Sequence, residues 1–300
     1  MLSGLRPGNY RVRIALPQNV LFAHGVALEL AGEDAQEGQT AEWTLTMGEQ
    51  ATLAPVPAVR TGTVAGRAWS DTNADGRMDA DEPALPGTRV VLLDMQKGGE
   101  AVSAVEVGED GLYTFDLLRT GAYALRFILP EGELFADRLA EEGASCVEPV
   151  EGNDATTATF DLAMGEERRS MNVGAIRAGE IGDTVWLDQN GNGLQDYREP
   201  LLSGVKLTLL HLDDDGQTQE VAQTVSDAYG YYHFSDLRPG VYVIRLDKEP
   251  GDTLTYSIGE PLGEIDSDLD PETGMSEAIR VTSGQVIRNI DVGLTEHGAE

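Results

Sequence analysis

Hydrophobic and polar positions alternate over short runs along this chain. Tyr10, Val12, Ile14 and Leu16 are separated by Arg11, Arg13 and Ala15, the period of two that turns one face of a strand to a core and the other to water. Tyr123, Leu125 and Phe127 repeat the pattern, as do Tyr242, Ile244 and Leu246. Val205, Leu207 and Leu209 alternate with Lys206 and Thr208 in an earlier strand. No helical period competes; a short helical turn from Leu139 to Gly143 is the one candidate, and it reads better as a variable loop. The 35 glycines and 13 prolines are spread along the chain, as many short strands joined by turns require.

The same strings return at domain-sized spacing, the sign of a repeat. LRPGNYRVRIALP from Leu5 returns as LRTGAYALRFILP from Leu118 and as LRPGVYVIRLDKEP from Leu237, at offsets of 113 and 119 residues. Upstream, WSDTNADG from Trp69 matches WLDQNGNG from Trp186, an offset of 117. Two units are complete, at 61–177 and 178–296, followed by a tail at 297–300; residues 1–60 match only the second half of a unit, so Met1 reads as a cut through a longer protein. Seven or so short strands in each unit predict an all-β fold of tandem two-sheet sandwiches. Trp69, Tyr113, Phe115 and Tyr123, with Trp186, Tyr232, Phe234 and Tyr242, are the expected aromatic core. The linkers, Arg60-Thr61-Gly62 and Arg177-Ala178-Gly179, leave little slack, so the units are expected to form a semi-rigid, stalk-like row.

Composition narrows the partners. A formal charge of −31, from 52 acidic and 21 basic residues, argues against nucleic acid or an anionic membrane and favours cations. No stretch nears the ~20 apolar residues of a membrane span, and neither end carries a secretory signal or a hydrophobic anchor. With one cysteine, Cys146, the chain has no internal disulfide or cysteine metal cage, and that thiol reads as incidental. The histidines His24, His211, His233 and His297 fall at non-equivalent repeat positions and read as surface or edge residues. No G-x-S-x-G elbow or phosphate-binding glycine loop occurs. Trp43 is a candidate sugar platform, although packing in its strand-like segment is the commoner role; no carboxylate pair can be singled out for hydrolysis.

The acidic loops carry the specific chemistry. DTNADGRMDADE from Asp71 fills the twelve-residue calcium template D-x-[DN]-x-[DN]-G-x5-E. Asp71, Asn73 and Asp75 offer side-chain oxygens, Gly76 the turn, Arg77 its carbonyl, Asp79 a water-bridging position and Glu82 a bidentate carboxylate. The second copy supplies Asp188, Asn190, Asn192, the Leu194 carbonyl, Asp196 and Glu199, with Gly193 at the turn. A solvated acidic turn is the bland alternative, weakened by two complete matches at corresponding places. Pro83 and Pro200 directly follow the closing glutamates, which argues against a helix-loop-helix hand or dockerin. Magnesium fits less well, because it keeps more of its waters. With four carboxylates against three, the first loop is expected to depend more on calcium.

The string G-x-x-x-W-x-D-x-N-x-[DN]-G-x-x-D-x-x-E-P-x-L-x-G, then G-x-Y-x-F, then L-R-x-G-x-Y, resembles the SdrD B-like domains. These are serine-aspartate-repeat B-type members of the collagen-adhesin B-type (CnaB-like), Ig-like, prealbumin-like sandwiches of bacterial surface proteins. The resemblance spans residues 64–176 and 181–294, with 1–60 as a partial copy. It implies an extracellular, calcium-stiffened stalk on a cell wall or surface that displays a separate head, structural rather than catalytic. Its partners would be calcium and neighbouring repeats, with no nucleic acid and no membrane insertion.

There are departures. Asp227 precedes G-x-Y-x-F in the third unit where Gly108 stands in the second. The segment from Asp266 through Asp268 and Asp270 to Gly274 resembles an acidic late loop that can form a further calcium site in relatives, against only Glu151 to Asp154 in the second unit; a plain solvated loop is the favoured reading. Relatives can carry a lysine isopeptide staple on the first strand, but Lys97, Lys206 and Lys248 all lie beyond it, so none is expected here. The runner-up functions are a module that recognises a host protein or glycan, and an accessory sandwich of a surface enzyme.

Overall fold

In the computed structural model, residues 5–32, 35–139, 144–148, 150, 152–213, 215–256 and 265–296 are described. Apart from the single 3-10 turn Met95–Lys97, their regular structure is all strand. The part of the 139–143 segment that lies within them, Leu139, is irregular; residues 140–143, Glu151 and His297 lie outside.

Residues 61–177 form two sheets around one apolar cluster. One sheet orders the strands Glu100–Glu106, Arg89–Asp94, Gly121–Ile128 and Asp154–Thr156, with Phe160–Leu162 also paired to Gly121–Ile128. The other orders Leu112–Leu118, Gly62–Ser70, Val173–Arg177 and Glu133–Phe135, with Glu167–Arg168 added parallel to Gly62–Ser70. Side chains from both, among them Val64, Leu92, Tyr113, Leu125, Phe127 and Val173, close the core. Residues 178–296 repeat the plan. Tyr231–Leu237, Gly179–Leu187, Val292–Glu296 and Thr253–Leu254 face Thr218–Val225, Lys206–Leu212, Gly240–Leu246 and Ile279–Val281. The cluster there includes Ile181, Leu207, Tyr232, Ile244 and Leu294. Each unit is therefore a β-sandwich with its own core.

The expected inward positions of the central strands, Tyr123, Leu125 and Phe127 and Tyr242, Ile244 and Leu246, are buried. The other faces of the central strands are covered in part as well, with Ala124, Leu210 and Val243 also buried. Thr208, expected on a solvent face, is fully buried; its hydroxyl donates to Asp247 Oδ2 at 2.7 Å, and that satisfied bond lets a polar group stay inside. Six of the eight expected core aromatics join the clusters, but Trp69 and Trp186, though fully buried, do not. Trp69 follows the core residue Ala68, so the pleat turns it to the opposite face.

Residues 5–60 form shorter pairings: Gly8–Tyr10 with Trp43–Leu45, Arg13–Ala15 with Glu37–Gln39, and Val20–Phe22 with Ala58–Arg60. The period-two pattern persists, but Tyr10, Val12, Ile14 and Leu16 are only half-buried, and neither apolar cluster draws on this segment. Leu21 and Phe22, next to the following unit, are the residues it buries completely. Trp43 lies directly across from Tyr10 as a strand partner.

Two topological facts place the acidic loops. The opening strand Gly62–Ser70 runs parallel to the closing strand Val173–Arg177, with Ala68 beside Val173 and Ser70 beside Ala175. The loop that starts at Asp71 therefore sits at the pole from which the chain leaves for the next unit. The third unit shows the same parallel pairing, Val185 to Leu187 beside Val292 to Leu294.

Candidate metal centre

Each loop is anchored at both ends by the sandwich. The amide of Asp71 donates to Ala175 O at 2.7 Å and that of Ser70 to Pro83 O at 2.9 Å. The amides of Asp188 and Leu187 make the same bonds to Leu294 O and Pro200 O. Trp69 bridges Ala84 and Trp186 bridges Leu201, so the segment after each proline returns along the strand it left. This is the physical content of the E-P-x-L signature: proline, with no amide to donate, leads back into a β-bridge rather than a helix.

Between those anchors the loop folds around its carboxylates. Asp71 is fully buried, its Oδ2 accepting from the Gly76 amide at 2.8 Å and its Oδ1 from the Asp75 amide at 3.2 Å. Glu82, also buried, accepts from the Thr72 amide at 2.9 Å and the Asp79 amide at 3.0 Å. The first and last carboxylates are thus held by the loop's own backbone. Asn73 Oδ1 accepts from the Asp75 amide at 3.0 Å while its Nδ2 donates to Asp79 Oδ2 at 3.1 Å, which joins the third and ninth positions. Asp75 Oδ1 accepts from the Arg77 amide at 2.9 Å. Ala74 at φ 59° and Gly76 at φ 75° take the left-handed conformation. Gly76 has no alternative, because a Cβ there would stand 2.9 Å from Asp137 O.

The second loop is built the same way. Asp188 Oδ2 accepts from the Gly193 amide at 2.8 Å, and its Oδ1 from the amides of Gly191 at 2.7 Å and Asn192 at 3.2 Å. Glu199 accepts from the Gln189 and Asp196 amides at 2.8 and 2.9 Å. Asn190 and Asn192 both donate to Asp196 Oδ2, at 2.7 and 3.0 Å. Asn192 Oδ1 in turn accepts from the Leu194 amide at 2.8 Å.

Electrostatics separate the two loops. Burial pushes the Asp71 carboxyl up, opposed by amides at Gly76, Ala74 and Asp75. Burial also raises Glu82, helped by the charges of Asp71 and Asp79. Burial acts on Asp188 too, but the Thr255 hydroxyl, donating at 2.6 Å, and three loop amides outweigh it and leave that carboxyl below its ordinary range. The third unit therefore brings a donor from outside the loop. Neither composition nor spacing marks Thr255, which lies 67 residues from Asp188.

The donor set fits a hard cation. Positions one, three, five, nine and twelve carry side-chain oxygens and position seven a backbone carbonyl, and an oxygen that accepts one amide bond keeps a further lone pair for a metal. Among the described residues no three His, Cys, Asp or Glu side chains are already gathered as a metal cage; the loop amides and the Asn73, Asn190 and Asn192 side chains take up carboxylate oxygens instead. The twelve residues expected from the sequence as ligands lie in two loops, each closed on itself by these bonds.

The late acidic loop behaves differently from its three-aspartate spacing. The amide of Gln195 donates to Ile265 O at 2.8 Å and Leu194 bridges Asp266, so this segment packs against the second acidic loop. Asp268 Oδ2 accepts from the Asp291 amide at 2.7 Å. Asp270 turns away to accept from the amides of Glu272 and Thr273, both at 2.8 Å, and those amides hold its carboxyl below the ordinary range. Asp227 likewise caps its own turn, accepting from the Tyr229 and Tyr231 amides.

The remaining candidates have structural places. Cys146 is half-buried against the second unit's core, and burial pushes its thiol up to about 12, which keeps it unreactive. His211 stacks edge-on against Tyr242 with ring centroids 5.4 Å apart. His24 and His233 are exposed. Lys206 pairs with Glu249 at 2.6 Å, Lys248 donates to Pro271 O and Lys97 lies 3.9 Å from Asp94. No helix of the described residues is long and apolar enough to cross a membrane.

Fold and loops together define a tandem array of β-sandwich repeats, each opening with a Trp-x-Asp loop that returns through Glu-Pro. The chain belongs to the SdrD B-like domain family, whose profile matches residues 62–175 and 179–294. It is 32% identical over 216 residues to serine-aspartate repeat-containing protein F of Staphylococcus epidermidis, a match covering 71% of this chain and 12% of that protein. It is also 32% identical over 189 residues to serine-aspartate repeat-containing protein D of Staphylococcus aureus (strain Newman), covering 62% of this chain and 13% of the relative. The chain thus spans about an eighth of the length of these relatives. Among solved structures, the minor pilin GBS52 of Streptococcus agalactiae aligns at a TM-score of 0.31 and 10% identity, over 80% of this chain and 98% of the pilin.

Proposed function

We propose that these repeats are calcium-binding spacer domains of a bacterial cell-surface protein, structural rather than catalytic, and that calcium stiffens each sandwich and its joint. The observation that carries the reading is the repeated scaffold of the loops. In both, the first and twelfth carboxylates are oriented by loop amides at the pole from which the chain exits. A divalent cation bound there would offset part of the charge of Asp71, Asp75, Asp79 and Glu82, which otherwise concentrate negative charge in one turn. Because the folded loop alone presents these oxygens together, binding stabilises the fold by about 2.7 kcal/mol per site when free calcium is ~100-fold above Kd. Family membership supports the tandem spacer role, and the overall charge of −31 favours cations over nucleic acid or anionic lipid.

Calorimetric titration of the full chain with calcium, and thermal unfolding with and without a chelator, test the reading. The expected result is one high-occupancy site per complete unit, lost one at a time in Asp71→Ala and Asp188→Ala, and a lower Tm on chelation. A silent titration overturns it and leaves recognition of a host protein or glycan as the function to pursue.

A further inference from the structure

The L-R-x-G-x-Y string that reveals the repeat has a role at the joints. Arg119, in the second unit, donates from Nη1 and Nη2 to Phe22 O of the preceding segment at 3.1 and 3.2 Å. Arg238, in the third unit, donates from Nη1 to Phe135 O of the second at 2.9 Å, and from Nη2 to Asp137 Oδ1 at 2.6 Å. Phe22 and Phe135 stand at the same 113-residue repeat offset and close the equivalent strands Val20–Phe22 and Glu133–Phe135. The same arginine therefore meets the same carbonyl at both joints.

The rest of the motif aims that arginine. The hydroxyl of Tyr123 donates to Arg119 O at 3.0 Å and that of Tyr242 to Arg238 O at 2.7 Å. Leu117 and Asp236, two residues before the arginines, hold φ of 59° and 58°. Residues with a Cβ seldom take that conformation, and it persists where the surroundings demand it. Backbone bonds remove the remaining slack: the linker amides of Thr61 and Ala178 donate back to Asn19 O and Gly132 O at 3.0 and 2.9 Å. At the second joint the amide of Gly284 also donates to Arg177 O at 2.9 Å.

We propose that the L-R-x-G arginine is an inter-repeat clamp whose binding partner is the exit pole of the preceding repeat, read through the Phe carbonyl and, at the second joint, the Asp137 carboxylate. A guanidinium suits this task because its planar fork engages two acceptors, or one acceptor twice, in a fixed direction. His24 takes the place of Asp137 at the first joint, so the Asp137 contact belongs to the second joint. The second joint also touches the acidic loop, since Gly76 lies directly on the Asp137 backbone. Loop and clamp are therefore coupled there, a step that rests on the calcium reading.

The test is the spread of inter-unit distances in the full chain, measured by double electron–electron resonance between nitroxides on adjacent units. Exposed Met47, Ser103 and Tyr229 serve as label sites after substitution by Cys, with Cys146→Ser as background. Arg238→Gln is expected to widen the Ser103–Tyr229 distribution roughly twofold or more, towards the free motion that is the default for tethered domains, and to leave the Met47–Ser103 distribution unchanged. Arg119→Gln is expected to do the converse. Asp137→Asn and Arg238→Lys, milder changes that leave both cores intact, are expected to widen only the second joint. Unchanged distributions in Arg238→Gln and Arg119→Gln overturn the clamp whatever calcium does. Chelation that widens the second joint in the unsubstituted chain supports the coupling. Chelation that lowers Tm without widening that joint overturns the coupling alone, leaving the clamp and the calcium reading standing.

Discussion

The indole of Trp69 lies across Gly174, so close that a Cβ on the glycine would stand 2.5 Å from Cζ2 of the ring. The third unit repeats the relationship between Trp186 and Gly293, where the corresponding approach is 2.7 Å. Each pair joins the opening strand to the parallel closing strand two residues before the loop's first aspartate. The tryptophan that begins the W-x-D motif thereby fixes the strand end from which the loop departs. Gly174→Ala and Gly293→Ala are expected to overpack this contact and destabilise their own unit by about 1–3 kcal/mol. Differential scanning calorimetry should show one transition lowered in each variant.

Calcium removal should affect the two loops unequally. Asp71, Asp75, Asp79 and Glu82 make four carboxylates in the first loop, and burial already raises Asp71 and Glu82. The second loop has asparagine at the fifth position and a hydroxyl from Thr255 on its first aspartate. Chelation is therefore expected to lower the melting temperature of residues 61–177 by more than that of 178–296. Amide hydrogen exchange at residues 71–82 and 188–199, with and without calcium, checks the order directly.

Asp291 gives a pH dependence whose sign follows from its surroundings. It is buried, accepts from the Thr184 amide at 3.1 Å and the Thr184 hydroxyl at 2.5 Å, and has its carboxyl raised to about 6 by burial together with Asp183 and Asp266. A folded-state value above the unfolded one means that the native state binds the proton more tightly. This contribution to stability is full below the unfolded value near 4, and is lost as pH rises through about 6. In chelator, the third unit should gain stability from this group as pH falls from 7 towards 5. The second unit has Asn172 at the same place, its Oδ1 accepting from the Arg67 amide at 3.0 Å. Asp291→Asn should accordingly stabilise the third unit at pH 7 by on the order of 1–2 kcal/mol and flatten its pH profile. Urea unfolding across that range measures both.

Tyr123→Phe and Tyr242→Phe remove the hydroxyl that holds each clamp arginine's carbonyl. Each is expected to cost about 0.5–1.5 kcal/mol in its own unit, while calcium stoichiometry in titration calorimetry stays the same. A change in stoichiometry would show that the motif acts on the loops rather than on the joint.

The repeats, the all-strand character and the twelve-residue loops were legible in the chain itself. Alternation, turn residues and the spacing of acidic side chains are local properties, set by the pleat and by side-chain reach within a dozen residues. Tyr10 and Ile14 show where that legibility ends: their strand pattern was right, yet they are only half-buried, because burial depends on what faces a strand. Trp69 is buried as expected, but it packs over Gly174 rather than in the main cluster. The donation from Thr255 to Asp188, the packing of Ile265 against Gln195, and the reach of Arg238 to Phe135 and Asp137 join residues 67, 70 and about 100 positions apart. Such contacts have no period or fixed spacing to betray them. The chain's own pattern determined the kind of unit, its number and its acidic chemistry; tertiary packing alone decided which distant groups complete each loop and how one repeat grips the next.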